Sequence, residues 1–242
     1  MPLKGYGSLH IPSLFKYMPN KKLRLRFVIS AKYDIDAFSL LVDRHNYSKE
    51  RIGLIASKFP ELGEDFDIEK VKEFVKLKYK NDSAIIQKNT KKIEKKWKEI
   101  DKDFFTLAST IFYDCPFPDL DFTAHPSIWP MCIRDTRNKR VSFPYDERVK
   151  DGTTVIAHEL LHVAFYNYLW DKFPSIRRRI ANSEVWAFSE VLNVLIQNTQ
   201  NWLDVFGVKI APYPKHEKLY IRMSTSWQSH KNIDQLIEEF LL

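Results

Sequence analysis

The stretch Val155-Ile-Ala-His158-Glu159-Leu160-Leu161-His162-Val-Ala-Phe165 sets two histidines four residues apart, with a glutamate directly after the first. On a helix, at about 100° per residue, His158 and His162 stand roughly 40° apart, a spacing one metal ion can bridge. Glu159 lies on the flank of that arc. Every other direction of the turn is apolar, through Ile156, Leu160, Leu161, Val163, Ala164 and Phe165. A helix apolar all round is a buried helix. Three ionisable side chains are costly in such a place unless a divalent cation compensates them. Two histidines and a water leave a zinc ion one protein ligand short, so a third ligand is required.

The next helical pattern, over 183–198, offers two glutamates. Glu184 shares its face with Phe188, Val191 and Leu195, the apolar side that should meet the core. Glu190 gathers instead with Asn193 and Gln197 on a polar face that solvent explains. A core-facing carboxylate needs a partner, so periodicity names Glu184 as the third ligand and Glu190 as the alternative. Without a metal, Glu184 reads as a first-turn glutamate favoured by the helix dipole.

Val155-Ile-Ala-His-Glu-Leu-Leu-His-Val163 resembles the active-site helix of zincin metallopeptidases. The glutamate 22 residues after His162, opening Glu184-Val-Trp-Ala187, is similar to the gluzincin arrangement. Phe165 and Tyr168 stand where the metzincin continuation requires Gly and His or Asp, and the cysteine ribbon of SprT-type proteases is missing. The resemblance covers about 60 residues and implies a zincin-like, two-lobed architecture. It also implies one zinc ion on His158, His162 and Glu184, a peptide or protein substrate, and Glu159 as general base. An antiparallel edge strand for extended substrate is expected just before the metal helix, and 140–143 occupies the matching place. A tetrahedral intermediate needs a further donor. Tyr213, Tyr220 and His230 are the downstream candidates. His10, His45, His125 and His216 lack a partner at helical spacing and read as surface or satisfied histidines.

The elements that must position these residues follow from pattern. Lys22-Leu-Arg-Leu-Arg-Phe27 alternates at period two, the mark of a half-buried strand whose Arg24 and Arg26 face solvent. Helices are expected at 37–42, from an N-cap at Ser48 to a stop before Pro60, and from Ile68 to a break at 81–83. Ile86, Ile93, Trp97, Ile100, Phe104, Leu107 and Ile111 keep alternating three-and-four spacing, which predicts one long amphipathic helix with its lysines outward. Residues 113–130, rich in Pro and Asp, read as a connection. Met131-Cys-Ile-Arg134 and Arg140-Val-Ser-Phe143 flank a polar turn and predict a hairpin. The metal helix is expected over 153–169 with Asp151 or Thr153 as N-cap. A further helix closes the chain after His230. The fold class is α+β, mainly helical, with a small mixed or antiparallel sheet beside the metal helix. An N-terminal lobe at 1–105 and a catalytic part at 106–242 are expected within one compact domain.

Composition narrows the function classes. The chain has 242 residues, 44% of them hydrophobic, enough for a substantial core. Two cysteines exclude a disulfide framework and a thiolate zinc ribbon. A net charge of +7 permits nucleic acid as a partner without requiring it. The absence of a signal sequence and of a long apolar run gives a cytoplasmic protein without membrane contact as the expectation. The aromatic residues near the motif (Tyr166, Tyr168, Trp170, Phe173, Trp186, Phe188) read as core first and as a substrate pocket second. Two other functions remain beside the peptidase: an inactive zincin-like metal-binding or interaction protein, and a basic nucleic-acid-associated protein.

Overall fold

The computed structural model describes residues 24–42, 48–63, 66–113, 121–136, 138–146, 149–230 and 232–242. In chain order the elements are β1 (Arg24–Phe27), α1 (Ala31–Leu41), α2 (Ser48–Lys58), α3 (Ile68–Asn81), α4 (Ser83–Ile111), β2 (Asp121–Ser127), β3 (Arg134–Asp135), β4 (Arg140–Pro144), α5 (Val149–Lys172), α6 (Ile176–Arg179), α7 (Asn182–Gln197), α8 (Gln200–Phe206), α9 (Glu217–His230) and α10 (Ile233–Leu241). The protein is thus mainly helical with one small mixed sheet, the expected α+β class.

Local signals account for several of these boundaries. The Ser30 hydroxyl accepts from the Tyr33 amide to start α1, and the Asp67 carboxylate accepts from the Glu69 and Lys70 amides to start α3. The Asn232 side chain caps α10 in the same way. The helix expected at 37–42 begins earlier, at that Ser30 cap. The long amphipathic helix is α4, 29 residues, with Ile86, Ile93, Trp97, Ile100 and Phe104 buried along one face. Lys91, Lys92, Lys95 and Lys98 lie on its exposed side, and Lys98 pairs with Glu94 one turn away.

The sheet order is β1-β2-β4-β3, with β1, β2 and β4 parallel and β3 antiparallel to β4. The hairpin expected around the 135–139 turn is therefore present as β3–β4. Part of the connection expected at 113–130 is β2, which even carries Pro126. β2 shows period two in its packing. Phe122 and Ala124 enter a large apolar core with Phe104, Val141, Phe143, Leu160 and Phe188. The alternate residues Thr123 and His125 hydrogen-bond each other on the opposite face, where the His125 ring stacks on Tyr33 of α1. Arg24 and Arg26 are exposed, whereas Leu25 and Phe27 pack against the large core.

A second apolar core joins α1, α2, α3 and the residues after β2, through Phe38, Ile55, Val71, Val75, Ile86 and Trp129. α4 serves both cores, Ile86 in this one and Ile93 to Phe112 in the large one. A lobe boundary at 105 falls inside this continuous helix, so the two cores divide the chain elsewhere.

Three expectations about the metal helix need correction. α5 begins at Val149, so Asp151 and Thr153 lie inside it and neither is its N-cap. Gly152 also lies inside α5: a Cβ there would stand 2.6 Å from Ile93 Cδ1, so the glycine lets α5 cross close over α4. The segment 140–143 is not an edge strand, because β4 lies between β2 and β3. The antiparallel edge is β3, whose two residues place Arg134 beside α5. Among the described residues, no helix is long and apolar enough to cross a membrane.

Candidate metal centre

α5 is buried along most of its length, and its polar arc faces α7. Ile156, Ala157, Leu160, Leu161, Ala164 and Phe165 have no solvent exposure. His162 is fully buried as well, at 1% exposure, and Glu159 nearly so. Opposite this arc, α7 brings Glu190, itself 7% exposed. His158 Nε2 stands 3.3 Å from Glu190 Oε2, His162 Nε2 stands 3.3 Å from Glu190 Oε1, and the two imidazole Nε2 atoms are 3.1 Å apart. His158, His162 and Glu190 form the only cluster of this kind among the described residues that could hold a metal ion.

Glu184 is displaced from the role that periodicity gave it. It sits exposed in the first turn of α7, which leaves the dipole-favoured glutamate reading. The error has a physical source. The polar stripe Glu190–Asn193–Gln197 was assigned to water, yet all three are buried, as are Val185, Phe188, Val191, Leu192, Val194, Leu195 and Ile196 around them. A helix that is apolar all round except for one stripe must turn that stripe toward another polar surface, and α5 carries it. The argument that buried α5 from its sequence applies equally to α7.

All three residues of the stripe serve His158. Gln197 Nε2 donates to the Thr154 carbonyl at 3.1 Å, which turns its Oε1 toward His158 Nδ1 at 2.8 Å. An amide oxygen only accepts, so His158 Nδ1 carries the hydrogen and, in the neutral ring, Nε2 carries the lone pair. Asn193 Nδ2 donates to the His158 carbonyl at 3.0 Å. The His158 ring is therefore held in the tautomer a metal requires, by the outer-shell bonding that metal-ligating histidines usually show.

This arrangement tests whether the donors fit a cation. Two imidazole nitrogens and a carboxylate converge; ring protons can serve the two contacts with Glu190, but they leave the 3.1 Å contact between the two Nε2 atoms unsatisfied. A divalent ion satisfies all three. In a tetrahedral zinc site with bonds of about 2.0–2.1 Å, neighbouring ligand atoms stand about 3.3 Å apart; here the two Nε2 atoms are 3.1 Å apart, and one ligand atom from each of the three residues lies within 4.8 Å of the others. Buried His162 Nδ1 and Asn193 Oδ1 lack hydrogen-bond partners among the described residues. The donor set fits.

Electrostatics at the centre follow from burial and from mutual contact. Burial, helped by the Arg134 charge, depresses the His162 imidazole to about 3, so it is neutral, the form that binds metal. Burial pushes His158 down too, but its hydrogen bond to Glu190 and the charges of Glu159 and Glu190 outweigh this and leave it raised. For Glu190 burial acts upward, and its hydrogen bonds from the two histidines overcome it, holding the carboxyl far below its usual range. Glu159 is raised, chiefly by burial, against the opposing charge of Arg134. Arg134 Nη1 donates to Glu159 Oε2 at 3.1 Å, and its guanidinium lies 5.4 Å from the centre of the Tyr166 ring.

Comparison of the chain with family models, with curated proteins and with solved structures finds no match. The residues themselves carry the functional reading.

The candidates for a further donor separate. Desolvation of the hydroxyl and the charges of Glu190 and Glu159 push Tyr213 up to about 12, although the residue as a whole is 54% exposed, and no described hydrogen bond links it to the centre. Tyr220 packs from α9 against the large core, and no described hydrogen bond links it to the centre. His230 ends α9, and its side chain lies outside the described residues. His216, read from sequence as surface or satisfied, has a buried Nε2 without a hydrogen-bond partner and packs edge-on to Trp186 at 5.2 Å. Sequence reasoning ranked Glu190 behind Glu184 and missed Gln197 and Asn193 as supports of His158, and Arg134. The signal for Arg134 was a lone charge closing the apolar run Met131-Cys-Ile. Of the two cysteines, Cys132 is a free thiol and Cys115 lies outside the described residues.

Proposed function

We propose that the protein is a zinc-dependent metallopeptidase that hydrolyses peptide bonds, with the ion held by His158, His162 and Glu190. The observation that carries this reading is the buried triangle of three lone-pair donors with Glu159 directly beside it. A divalent ion bound there would supply Lewis acidity, polarising a carbonyl and lowering the pKa of water toward about 7.

The remaining work belongs to the chain. Gln197 and Asn193 fix His158, so one of the three donors is oriented before any ion arrives. Arg134 occupies Glu159 Oε2 and leaves Oε1 to receive the proton of the attacking water. Burial raises the basicity of Glu159, as a general base working near neutral pH requires. Glu159 then returns that proton to the leaving amine. Tyr213 is the candidate donor to a developing oxyanion.

The Arg134 ion pair also favours a second reading, a metal-binding protein without hydrolysis, because a guanidinium on the base lowers its basicity. Glu159→Gln separates the two. The peptidase reading expects peptide hydrolysis to fall by about 10²–10⁴-fold while stoichiometric zinc is retained. Hydrolysis that survives the substitution contradicts the base assignment. A wild type that binds zinc and cleaves nothing in a mixed peptide library supports the binding protein instead.

A further inference from the structure

Arg134 is more than a partner for Glu159. Its side chain is 16% exposed, yet among the described residues the only acceptor it meets is Glu159 Oε2, through Nη1. A guanidinium has five N–H donors, so four remain. None of these nitrogens is a buried atom without a partner, so the four donors are open to water or to a ligand. It lies over the face of Tyr166, on the antiparallel edge strand next to α5. The cation is thus placed on the sheet edge, beside the groups proposed for chemistry.

Charge at the centre points the same way. Glu159 and Glu190 carry two negative charges, while Arg134 and a divalent ion together carry three positive ones. With neutral histidines the loaded site is left with one positive charge. Two further cations lie near Tyr213. Lys215 Nζ stands 4.9 Å from the Trp186 ring and 5.9 Å from the Tyr213 ring. The Arg51 charge also reaches the Tyr213 hydroxyl. A ligand bearing a negative charge would neutralise the site, whereas a cationic one would meet repulsion.

Resting on the metallopeptidase reading, we infer that Arg134 is a specificity residue that anchors a carboxylate of the substrate beside the scissile bond. Its planar fork accommodates a carboxylate by two parallel hydrogen bonds while Glu159 keeps the remaining contact. The carboxylate has two chemical sources, the free C-terminus of a peptide or an aspartate or glutamate side chain. The first would make the enzyme an exopeptidase at the C-terminus, and the second an endopeptidase selective for acidic sequence.

Calorimetric binding to the zinc-loaded protein tests this without relying on turnover. Two pairs of probes are compared: N-acetylphenylalanine with its amide, and the α-amides of N-acetylglutamate and N-acetylglutamine. In at least one pair the carboxylate should bind about tenfold more tightly, the effect of a charge-assisted bidentate contact. A difference in the first pair assigns the C-terminus, and one in the second assigns the acidic side chain. In Arg134→Gln the difference should fall to about twofold or less, and Arg134→Lys should keep only part of it. Equal binding within both pairs by the wild type overturns the inference. So does a preference that persists in Arg134→Gln, since the ion alone would then hold the carboxylate. Zinc stoichiometry, measured in the same samples, reports separately on the metal reading. Hydrolysis by wild type and Glu159→Gln reports on the peptidase reading, so neither failure can be mistaken for loss of the Arg134 contact.

Discussion

Two polar clusters lie buried in this protein, and they are bonded in opposite ways. The first surrounds Asp34 on α1, which has no solvent exposure. Its Oδ1 accepts from Ser127 Oγ at 2.7 Å, and its Oδ2 accepts from the Ile128 amide and the Tyr79 hydroxyl, each at 2.9 Å. Its carbonyl accepts from Trp129 Nε1 at 2.9 Å. Every acceptor of this group faces a donor. The second cluster is His158, His162 and Glu190, where the two imidazole Nε2 atoms face each other and two neighbouring buried polar atoms lack partners among the described residues. A closed network ties α1, α3 and the end of β2 into one body. An open one of similar burial costs stability unless something external completes it. The difference in satisfaction, and not burial or charge alone, marks the second cluster as the functional one.

That contrast can be broken or sharpened by substitution. The largest expected effect is on the closed network. Asp34→Ala orphans two buried donors, Ser127 Oγ and the Ile128 amide, while the Tyr79 hydroxyl keeps the Pro126 carbonyl, and should destabilise the fold by about 4 kcal/mol in denaturant unfolding at pH 5, with zinc stoichiometry in the folded protein unchanged. Loss of zinc binding in folded Asp34→Ala would show that the two clusters are not independent.

The second effect is a pH dependence. Burial, only partly offset by its three donors, raises the Asp34 carboxyl to about 6, against about 3.8 in an unfolded chain. Between those values the folded state binds more protons than the unfolded one, so stability falls as pH rises. The contribution is fully present below about pH 3.8 and lost above about pH 6, a difference of about 3 kcal/mol. Stability measured for the wild type relative to Asp34→Asn should decline across this window. A flat difference would mean that the three donors hold the carboxyl at its ordinary value.

The third effect falls on the open cluster. Gln197→Ala frees the His158 ring to rotate and change tautomer, and should weaken zinc binding by about 10–100-fold, or roughly 2 kcal/mol. Unchanged affinity in a competition assay with a chelating dye would remove Gln197 from the site. Least is expected of Glu184→Ala. An exposed first-turn residue should alter stability by no more than about 0.5 kcal/mol in urea unfolding, and zinc affinity not at all. A larger loss of either would return Glu184 to the centre.

The sequence made the fold class legible, together with the long helix, the hairpin and three of the four site residues nearest the chemistry. Each of those signals is local. The alternation in β1, the spacing along α4 and the four-residue step from His158 to His162 can be read without knowing what lies opposite. The third ligand is not local. Periodicity grouped Glu190, Asn193 and Gln197 correctly but could not say whether their face met water or protein. That depended on α5 presenting a polar arc at the same depth, a fact about pairs of helices. Arg134 was hidden for the same reason, since β3 reaches Glu159 only through its pairing with β4. The parallel pairing of β1 with β2 spans nearly a hundred residues and leaves no mark in either strand.

Metal analysis of three purified proteins tests the central claim most directly. Wild type, Glu184→Ala and Glu190→Ala are each loaded with zinc, desalted and measured by inductively coupled plasma mass spectrometry, with folding verified by circular dichroism. One equivalent in the wild type and in Glu184→Ala, with little or none in folded Glu190→Ala, is the result expected. Zinc retained by Glu190→Ala, or none bound by the wild type, would contradict the assignment of His158, His162 and Glu190 as a metal centre.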